Sequence, residues 1–178
     1  MTAVSVRSVE QQDVCVLADA FSGPDWGGTK PASLFERYLR EHQSGARDVL
    51  VAFAAEALAG YVTIRWEPDY APFRELGIPT LEDLNVLISY RRQRAASALV
   101  DEAERRIAER SDVAGIGVGM DPGYGSAQRM YVRRGYVPDG RGLTSHDRHV
   151  KWGDTVRVDD DLVLFFTKQL SDGSRPAS

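Results

Sequence analysis

Three arginines stand at the start of the longest helical pattern in the sequence. Arg91, Arg92 and Arg94 follow a predicted strand at residues 81–88, and the helical pattern continues to residue 110. The first turn of a helix exposes unpaired N–H groups and carries a partial positive charge, so a phosphate or pyrophosphate binds there readily. Cations at that end oppose the helix dipole and do not stabilise the helix. The pattern therefore indicates either an anion-binding site or a solvated basic patch on a surface helix.

A second set of residues has the side-chain types that bind metal ions. His146 and His149 lie in a polar segment, and residues 159–161 are three aspartates just before the last apolar run. The spacing offers two histidines but no third ligand in a recognisable pattern. Cys15 is the single cysteine, which excludes an intrachain disulfide and a cysteine-rich zinc site. We therefore predict solvated histidines, a polar lead-in to a strand, and no metal.

Hydrophobic periodicity predicts the strands and helices that must position these residues. Alternating or continuous apolar runs indicate strands, and apolar spacings of three and four indicate helices. The predicted strands cover residues 4–9, 48–55, 61–66, 81–88, 113–120 and 161–167, with one more beginning at 136. The predicted helices cover residues 13–21, 33–43, 90–110 and 126–134, and residues 67–79 and 138–155 are predicted loops. This mixture indicates an α/β or α+β fold.

Length and composition restrict the class of protein. The chain has 178 residues, 43% of them hydrophobic, with a net charge of −4. A chain of this length suits one domain, which we place at residues 1–170, followed by a flexible tail at 171–178. The acidic balance, a pI near 5.4, argues against a nucleic-acid-coating role. No apolar run is long enough for a membrane span or a signal peptide, so we expect a cytoplasmic protein.

The segment LNVLISYRRQRAASALVDEAERR resembles the acyl-CoA-binding motif of the GNAT superfamily of N-acyltransferases. That motif runs valine, any residue, proline, two residues, Gln or Arg, two residues, glycine, one residue, and Gly or Ala. A second segment, AQRMYVRRGYVP, resembles the family's helical tyrosine followed by a glycine–aromatic pair. The matching positions are Val86, Arg91 and Ala96 in the first segment and Tyr131, Gly135 and Tyr136 in the second. The element order also resembles the family's, which implies an α/β fold with a mixed central β-sheet flanked by helices.

Two positions depart from the family motif. Arg94 stands at the first glycine, and Ile88 stands where proline is common. A glycine there lets backbone N–H groups approach the pyrophosphate. Because Arg is favoured over Gly in a helix by about 0.8–1 kcal/mol, we expect residues 94–96 to start the helix instead. Either Arg94 faces solvent and acyl-CoA still binds, or the cofactor site is degraded. In the second case the chain is a ligand-binding or regulatory module, or catalyses another reaction.

The resemblance implies acetyl-CoA as co-substrate, without a metal, and acetyl transfer to a primary amine of a small molecule. In the family, the strand before the motif pairs its backbone with the pantetheine arm. The implied cofactor-binding residues are Leu84, Val86, Leu87, Arg91, Arg92, Arg94, Ala95, Ala96 and Ser97. A bulge in that strand would separate it from the strand at residues 113–120, whose glycines suit such an opening.

The resemblance also implies catalytic roles. Tyr131 is the candidate acid, because a phenol pKa near 10 is a fair match for a thiolate leaving group near 8–9. The alternative is that its ring packs and its hydroxyl is hydrated. Glu82 and Asp83 are candidate bases, acting through water. Adjacent strand residues point to opposite faces, so only one of them is expected to face the cleft. A base is not obligatory for an amine of low pKa.

Four aromatic residues lie in or beside loops on the expected acceptor side: Trp26, Trp66, Tyr70 and Phe73. They could sandwich an aromatic or cationic acceptor. The alternative is an aromatic cluster that covers a loop. We expect a small-molecule amine as partner and no nucleic acid or membrane, and exposed strand edges make a homodimer reasonable.

Overall fold

The computed structural model describes residues 3–146 and 148–170. Two compact units divide the chain. Unit 1 comprises Met1–Trp66 and Leu81–Arg106, and unit 2 comprises Glu67–Thr80 and Ile107–Ser178. The tail predicted at residues 171–178 lies outside the described residues. None of the described helices has the length and apolar character needed to cross a bilayer.

The described residues form eight strands and five helices. The strands are β1 (Val4–Ser8), β2 (Arg47–Ala54), β3 (Ala57–Arg65), β4 (Thr80–Val86), β5 (Val113–Gly119), β6 (Val137–Ser145), β7 (Arg148–His149) and β8 (Leu162–Gln169). The helices are α1 (Asp13–Ala20), α2 (Ala32–Gln43), α3 (Ala71–Leu76), α4 (Ala95–Ala108) and α5 (Gly125–Arg133). The strand order is β1-β2-β3-β4 in unit 1 and β5-β8-β6-β7 in unit 2. Most pairs are antiparallel, and the predicted mixed α/β fold, a β-sheet flanked by helices, is confirmed.

Aromatic rings fill the core of unit 1 between the first two helices and the strands. Phe21 and Phe35 both meet the Tyr61 ring edge to face, with centroids 5.0 and 5.4 Å apart. Edge-to-face contacts are a preferred geometry for aromatic pairs. Tyr61 is fully buried on β3, so its ring belongs to the core while its hydroxyl reaches a polar group on β4. The core thereby fixes one wall of the polar site described below.

The glycines of β5 make room for aromatic rings in unit 2. A Cβ on Gly115 would overlap the ring of Phe73, and one on Gly119 would overlap the ring of Tyr124. The sequence interpretation assigned these glycines to an opening beside the strand. The structure places aromatic side chains against all three glycines of the strand, with Phe165 beside Gly117, and only glycine allows so close an approach. Their part in such an opening stays a prediction.

Several elements differ from the predictions, and three of the differences have a clear cause. Helix α4 begins at Ala95 rather than at residue 90, because a 3₁₀ turn (Ile88–Tyr90) and a non-helical turn precede it. Helix α3 lies within the predicted loop at 67–79, where Pro72 starts it and Gly77, with a φ of 64°, ends it. Strands β6 and β7 occupy part of the predicted loop at 138–155, because pairing with β8 overrides a polar, glycine-containing sequence.

Candidate active site

Strand β4 contains a backbone irregularity at Asp83. Its φ is 51°, in the left-handed region, within an otherwise extended strand. Such a conformation costs about 1–3 kcal/mol for a non-glycine residue and persists where the surroundings enforce it. On β3, a Cβ at Gly60 would overlap the Asn85 carbonyl oxygen and lie 3.0 Å from Val86 Cα. Gly60 therefore allows the distorted strand to lie against its neighbour.

The Asp83 carboxylate accepts hydrogen bonds from four side chains. Lys30 Nζ lies 2.9 Å and Asn85 Nδ2 lies 2.6 Å from Oδ1. The hydroxyls of Tyr61 and Tyr38 lie 2.6 and 3.0 Å from Oδ2. A carboxylate has about four lone-pair positions, so Asp83 is fully engaged within unit 1.

This network decides the protonation states of its members. Burial raises the pKa of Asp83, but the positive charge of Lys30 and the hydrogen bonds from Tyr61, Lys30 and Asn85 outweigh it, and the pKa lies below its usual value. Burial, reinforced by the Asp83 charge, raises the pKa of Tyr61 and of Tyr38 far above that of a free phenol. Both hydroxyls therefore remain donors, and Asp83 is an ionised carboxylate with little tendency to take up a proton.

Glu82 joins the same network from the neighbouring position. It accepts a 2.9 Å hydrogen bond from Arg47, a buried guanidinium that also donates to Glu41 at 2.6 Å. The Arg47 guanidinium lies 4.9 Å from the centroid of the Tyr38 ring, whose hydroxyl contacts Asp83. The expectation that adjacent residues point to opposite faces is wrong here, because the left-handed backbone at Asp83 interrupts the alternation.

The arginine turn (residues 91–94) connects the 3₁₀ turn to α4. Arg92 and Arg94 have φ values of 60° and 69°, in a region that glycine adopts freely and other residues rarely. The expectation that Arg94 starts the helix is therefore wrong. Its carbonyl accepts a 2.9 Å hydrogen bond from the Ala98 N–H, so Arg94 directly precedes the helical residues.

Asp25, in the loop between α1 and α2, holds the 3₁₀ turn in place. Its carboxylate accepts hydrogen bonds from the backbone N–H and the hydroxyl of Ser89, at 2.9 and 2.8 Å. Its backbone carbonyl accepts a 2.9 Å hydrogen bond from the N–H of Ile88. The conformation of the arginine turn is thus fixed at its start by a residue some sixty positions earlier in the chain.

The side chains of the arginine turn face outward. Arg91 Nε donates to the Val86 carbonyl at 3.2 Å. Arg92 and Arg94 are exposed, and their side chains have no partner within residues 3–146 and 148–170. Two guanidinium groups and the first N–H groups of α4 are therefore available to an anion.

The other predicted cofactor-binding residues lie on either side of this turn. Leu84 and Val86 are half-buried on β4, and Leu87 is buried. In the first turn of α4, Ala95 is buried while Ala96 and Ser97 are half-buried. Buried apolar residues offer a ligand only their backbone groups, which is the kind of contact predicted for this strand.

The two tryptophans of the predicted acceptor rim lie in unit 1 and are half-buried. Trp26 meets Phe21 edge to face with centroids 5.1 Å apart, and the Lys30 ammonium lies 5.8 Å from its ring. Trp66 Nε1 lies 3.5 Å from Asp48 Oδ1. Only Trp26 is therefore close to the Asp83 network.

Tyr70 and Phe73 lie in unit 2 and form a packed cluster. The Tyr70 ring stacks on Phe165 at 3.6 Å, and its hydroxyl donates to Asp139 at 2.8 Å. Phe73 is 1% exposed beneath these rings. The alternative of a loop-covering cluster describes both residues, and their role in acceptor binding stays a prediction.

Tyr131 lies in unit 2 on α5. Its side chain is 3% exposed, and its ring meets Tyr136 edge to face with centroids 5.4 Å apart. Its carbonyl accepts hydrogen bonds from the N–H groups of Arg134 and Tyr136, both at 3.0 Å, where the helix ends. The ring is thus fixed by packing, and the acid role of its hydroxyl stays a prediction.

One group of potential metal ligands lies in unit 2. The ligand atoms of His146, Asp159 and Asp161 lie within 4.8 Å of one another. His146 Nδ1 is 3.0 Å from Asp161 Oδ2, and both side chains are exposed. His149 is not in this group. The chain fold supplies the third ligand that the spacing lacked, but an exposed ion pair accounts for the grouping equally well.

Most of the residues described above lie in a segment that matches a known protein family. The sequence model of the acetyltransferase (GNAT) family matches residues 16–136. That span covers more than half of the chain, from α1 to the end of α5.

The chain belongs to the GNAT family.

No curated protein matches the sequence significantly. Family membership identifies the chain as a transferase of the acetyltransferase class, as the sequence predicted.

Solved GNAT structures share the fold. The acetyltransferase from Salmonella typhimurium that modifies the N-terminal serine of ribosomal protein L7/L12 is 14% identical, with a TM-score of 0.68 over 95% of this chain and 96% of that one. YncA from Salmonella typhimurium, solved with its cofactor acetyl-CoA, is 15% identical, with a TM-score of 0.66 over 99% of both chains. An N-acetyltransferase from Staphylococcus aureus Mu50 is 12% identical, with a TM-score of 0.67 over 96% of this chain and 100% of that one.

Sequence reasoning missed the partners of the two carboxylates. Lys30, Tyr38, Tyr61, Asn85 and Arg47 come from a loop, a helix and three strands, and no local pattern connects them. One signal was available for Lys30, because the sequence contains only three lysines against nineteen arginines. Asp25 had no signal, since aspartate is common in loops.

Proposed function

We propose that this GNAT protein is an acetyl-CoA-dependent N-acetyltransferase acting on a primary amine of a small molecule. Family membership supports the reaction class. The acetyl-CoA in YncA, a protein of the same fold, supports the donor. Acetyl-CoA supplies an activated acetyl thioester, and the residues of this chain bind it and handle the protons.

The observation that carries the proposal is the backbone of Arg94. Its φ of 69° is a conformation natural to glycine, and the family has glycine at this position. We infer that the turn keeps the family's backbone course although the residue has changed. A remodelled loop, which the degraded-site alternative requires, would have no need for a strained arginine at this point.

The segment has distinct groups for the distinct parts of acyl-CoA. The backbone of Leu84, Val86 and Leu87 would pair with the pantetheine arm. The N–H groups of Ala95, Ala96 and Ser97 would face the pyrophosphate at the start of α4. The guanidinium groups of Arg91, Arg92 and Arg94 would supply positive charge at the same point, and charge-assisted hydrogen bonds to phosphate are about twice as strong as neutral ones.

The two carboxylates of β4 would have different roles. Asp83 has all its lone-pair positions occupied and a lowered pKa, so it is a poor base. Glu82 is 32% exposed and uses one oxygen for Arg47, which leaves the other open to a water molecule. We assign proton uptake from the amine to Glu82, and protonation of the departing thiolate to Tyr131.

Ligand binding and turnover test the proposal separately. Acetyl-CoA at about 100 times its Kd should raise the free energy of unfolding by about 2.7 kcal/mol. A panel of small primary amines, with a peptide bearing a free N-terminus as a comparison, should then show release of free thiol. Absence of binding at millimolar acetyl-CoA in both thermal shift and calorimetry would refute the proposal and favour a ligand-binding or regulatory module.

A further inference from the structure

Lys30 places an alkyl-ammonium group in a defined site within unit 1. Its Nζ lies 2.9 Å from Asp83 Oδ1 and 5.8 Å from the ring centroids of both Trp26 and Tyr61. A carboxylate combined with aromatic faces is a suitable environment for an ammonium ion. We call Asp83 with these two rings the ammonium site. It remains accessible, because the side chains of Lys30 and Asp83 are 20% and 22% exposed.

The ion pair at the ammonium site differs from the structural ion pair beside it. Arg47 is buried and divides its donors between Glu41, Thr63 and Glu82, so it cannot leave without exposing several partners. Lys30 makes one charged hydrogen bond, as a compact ammonium on a flexible stem. The nitrogen of a second alkyl-ammonium ion could take the position of Lys30 Nζ and make the same single hydrogen bond to Asp83. The chain uses lysine here although it has nineteen arginines and three lysines.

The Lys30 side chain can leave Asp83 although the Lys30 backbone is held. The Lys30 N–H donates to the Phe21 carbonyl at 3.0 Å, and the Lys30 carbonyl accepts a 3.3 Å hydrogen bond from the Ser22 hydroxyl. Replacement therefore requires only that the flexible four-carbon side chain of Lys30 rotate away from Asp83, while the Lys30 backbone stays in place.

We infer that the ammonium site holds an ammonium group of the acceptor in place of Lys30, and that the acceptor is an aliphatic diamine. The inference rests on the proposed function. An ammonium held against a carboxylate stays protonated and has no lone pair to attack a thioester. The nitrogen that is acetylated must be the other one. It forms the C–N bond as the C–S bond breaks, and the proton that it loses balances the proton that the thiolate gains.

Two matched acceptors test this substrate class. 1,5-Diaminopentane and 5-amino-1-pentanol have the same length and each offers a primary amine, but only the first has a second cation. With acetyl-CoA, the kcat/KM of the diamine should exceed that of the amino alcohol by about 10- to 100-fold, the range expected for a hydrogen bond to a charged group. Asp83→Asn should reduce this ratio to about one.

Replacement of Lys30, which competes with the diamine for Asp83, gives a second, independent result. Lys30→Met should increase the affinity for 1,5-diaminopentane about tenfold or more, because a tethered group competes at an effective concentration of the order of millimolar. Lys151→Met, which removes an exposed lysine of unit 2, is the matched control and should change nothing. Calorimetry without acetyl-CoA measures the affinity, and 1,5-pentanediol serves as the neutral probe of equal length.

The outcomes separate the two claims. Equal turnover of both acceptors overturns the inference and leaves the acetyltransferase proposal intact. Tight diamine binding to Lys30→Met, without acetylation of any amine, supports the ammonium site and refutes the proposed reaction. Should Asp83→Asn fail to fold, the Lys30→Met titration still decides, because unchanged diamine affinity in that variant overturns the inference by itself.

Discussion

Asp83 and Arg94 are single residues that hold a strained, left-handed backbone in unit 1. Strain of about 1–3 kcal/mol persists where the surroundings enforce it, and it is concentrated at functional positions. Four hydrogen-bond donors around its carboxylate hold the backbone of Asp83 in this conformation. The turn that contains Arg94 is fixed by Asp25 at its start and by α4 at its end. The conformations of these two residues therefore depend on tertiary contacts that no local sequence pattern shows.

Replacement of Arg94 by glycine separates its backbone role from its side-chain role. Glycine accepts a φ of 69° without strain, so we expect the melting temperature of Arg94→Gly to stay the same or rise. Loss of the guanidinium should weaken acetyl-CoA binding and reduce its dependence on salt concentration. Calorimetry at two salt concentrations measures both effects. Tighter binding by the variant would show instead that the side chain obstructs the pyrophosphate.

Replacement of Tyr131 by phenylalanine tests the acid. The variant keeps the ring that packs against Tyr136 and loses only the hydroxyl. If that hydroxyl protonates the thiolate, turnover should fall by about 10²- to 10⁴-fold with little change in acetyl-CoA affinity. Steady-state kinetics and a melting curve on one variant are sufficient. Full activity would remove Tyr131 from the mechanism and leave water as the proton source.

At the scale of elements, β4 depends on the absence of a side chain on β3. A Cβ at Gly60 would overlap the Asn85 carbonyl oxygen, and backbone cannot yield as a flexible side chain does. Gly60→Ala should therefore destabilise the protein by about 1–3 kcal/mol, the usual cost of overpacking. It should also weaken acetyl-CoA binding, because Asn85 and Val86 belong to the predicted pantetheine strand.

Gly125 offers the matched control for that substitution. It is the first residue of α5, and a Cβ built on it meets no atom within 4 Å. Gly125→Ala should leave stability unchanged or raise it by up to about 1 kcal/mol, because alanine is the better helix former. Denaturant unfolding of both variants measures the contrast. Equal effects at the two positions would show that β3 and β4 tolerate a wider separation.

For the whole molecule, the lowered carboxylate pKa values predict how stability depends on pH. The hydrogen bond from Arg105 is the main cause that lowers the pKa of Glu102 to about 2, and the Asp83 network lowers the pKa of that residue. A carboxyl group whose pKa is lower in the folded state stabilises the fold above its unfolded pKa of about 4. That contribution is lost as pH falls through the folded-state pKa, so stability should decline between about pH 5 and pH 2.

Asp83→Asn should remove part of this dependence. At pH 7 we expect the variant to be less stable than the natural protein by about 1–3 kcal/mol, the cost of losing hydrogen bonds to a buried charge. The difference should shrink as the Asp83 carboxyl of the natural protein is protonated at low pH. Denaturant titrations from pH 7 to pH 2 give both curves. A difference that stays constant over this range would contradict the assignment.

Local sequence patterns were sufficient to predict the family and most of the elements. The periodicity that predicts helices at 13–21, 33–43 and 126–134 is local, and α1, α2 and α5 begin and end within a residue or so of those limits. The arginines and the motif around Val86 and Ala96 likewise lie within one short segment, so the resemblance to the family is visible there, and the cofactor-binding role of the segment stays a prediction.

Tertiary structure decided everything that joins distant segments. Asp83 receives Lys30, Tyr38 and Tyr61 from a loop, a helix and another strand, and the cost of leaving a buried carboxylate unpaired explains why all three converge on it. The left-handed backbone at Asp83 and Arg94 opposes the local preference of both residues. Propensity predicted an extended aspartate and a helical arginine, and longer-range contacts overrode both, because the local cost of a left-handed residue is only about 1–3 kcal/mol.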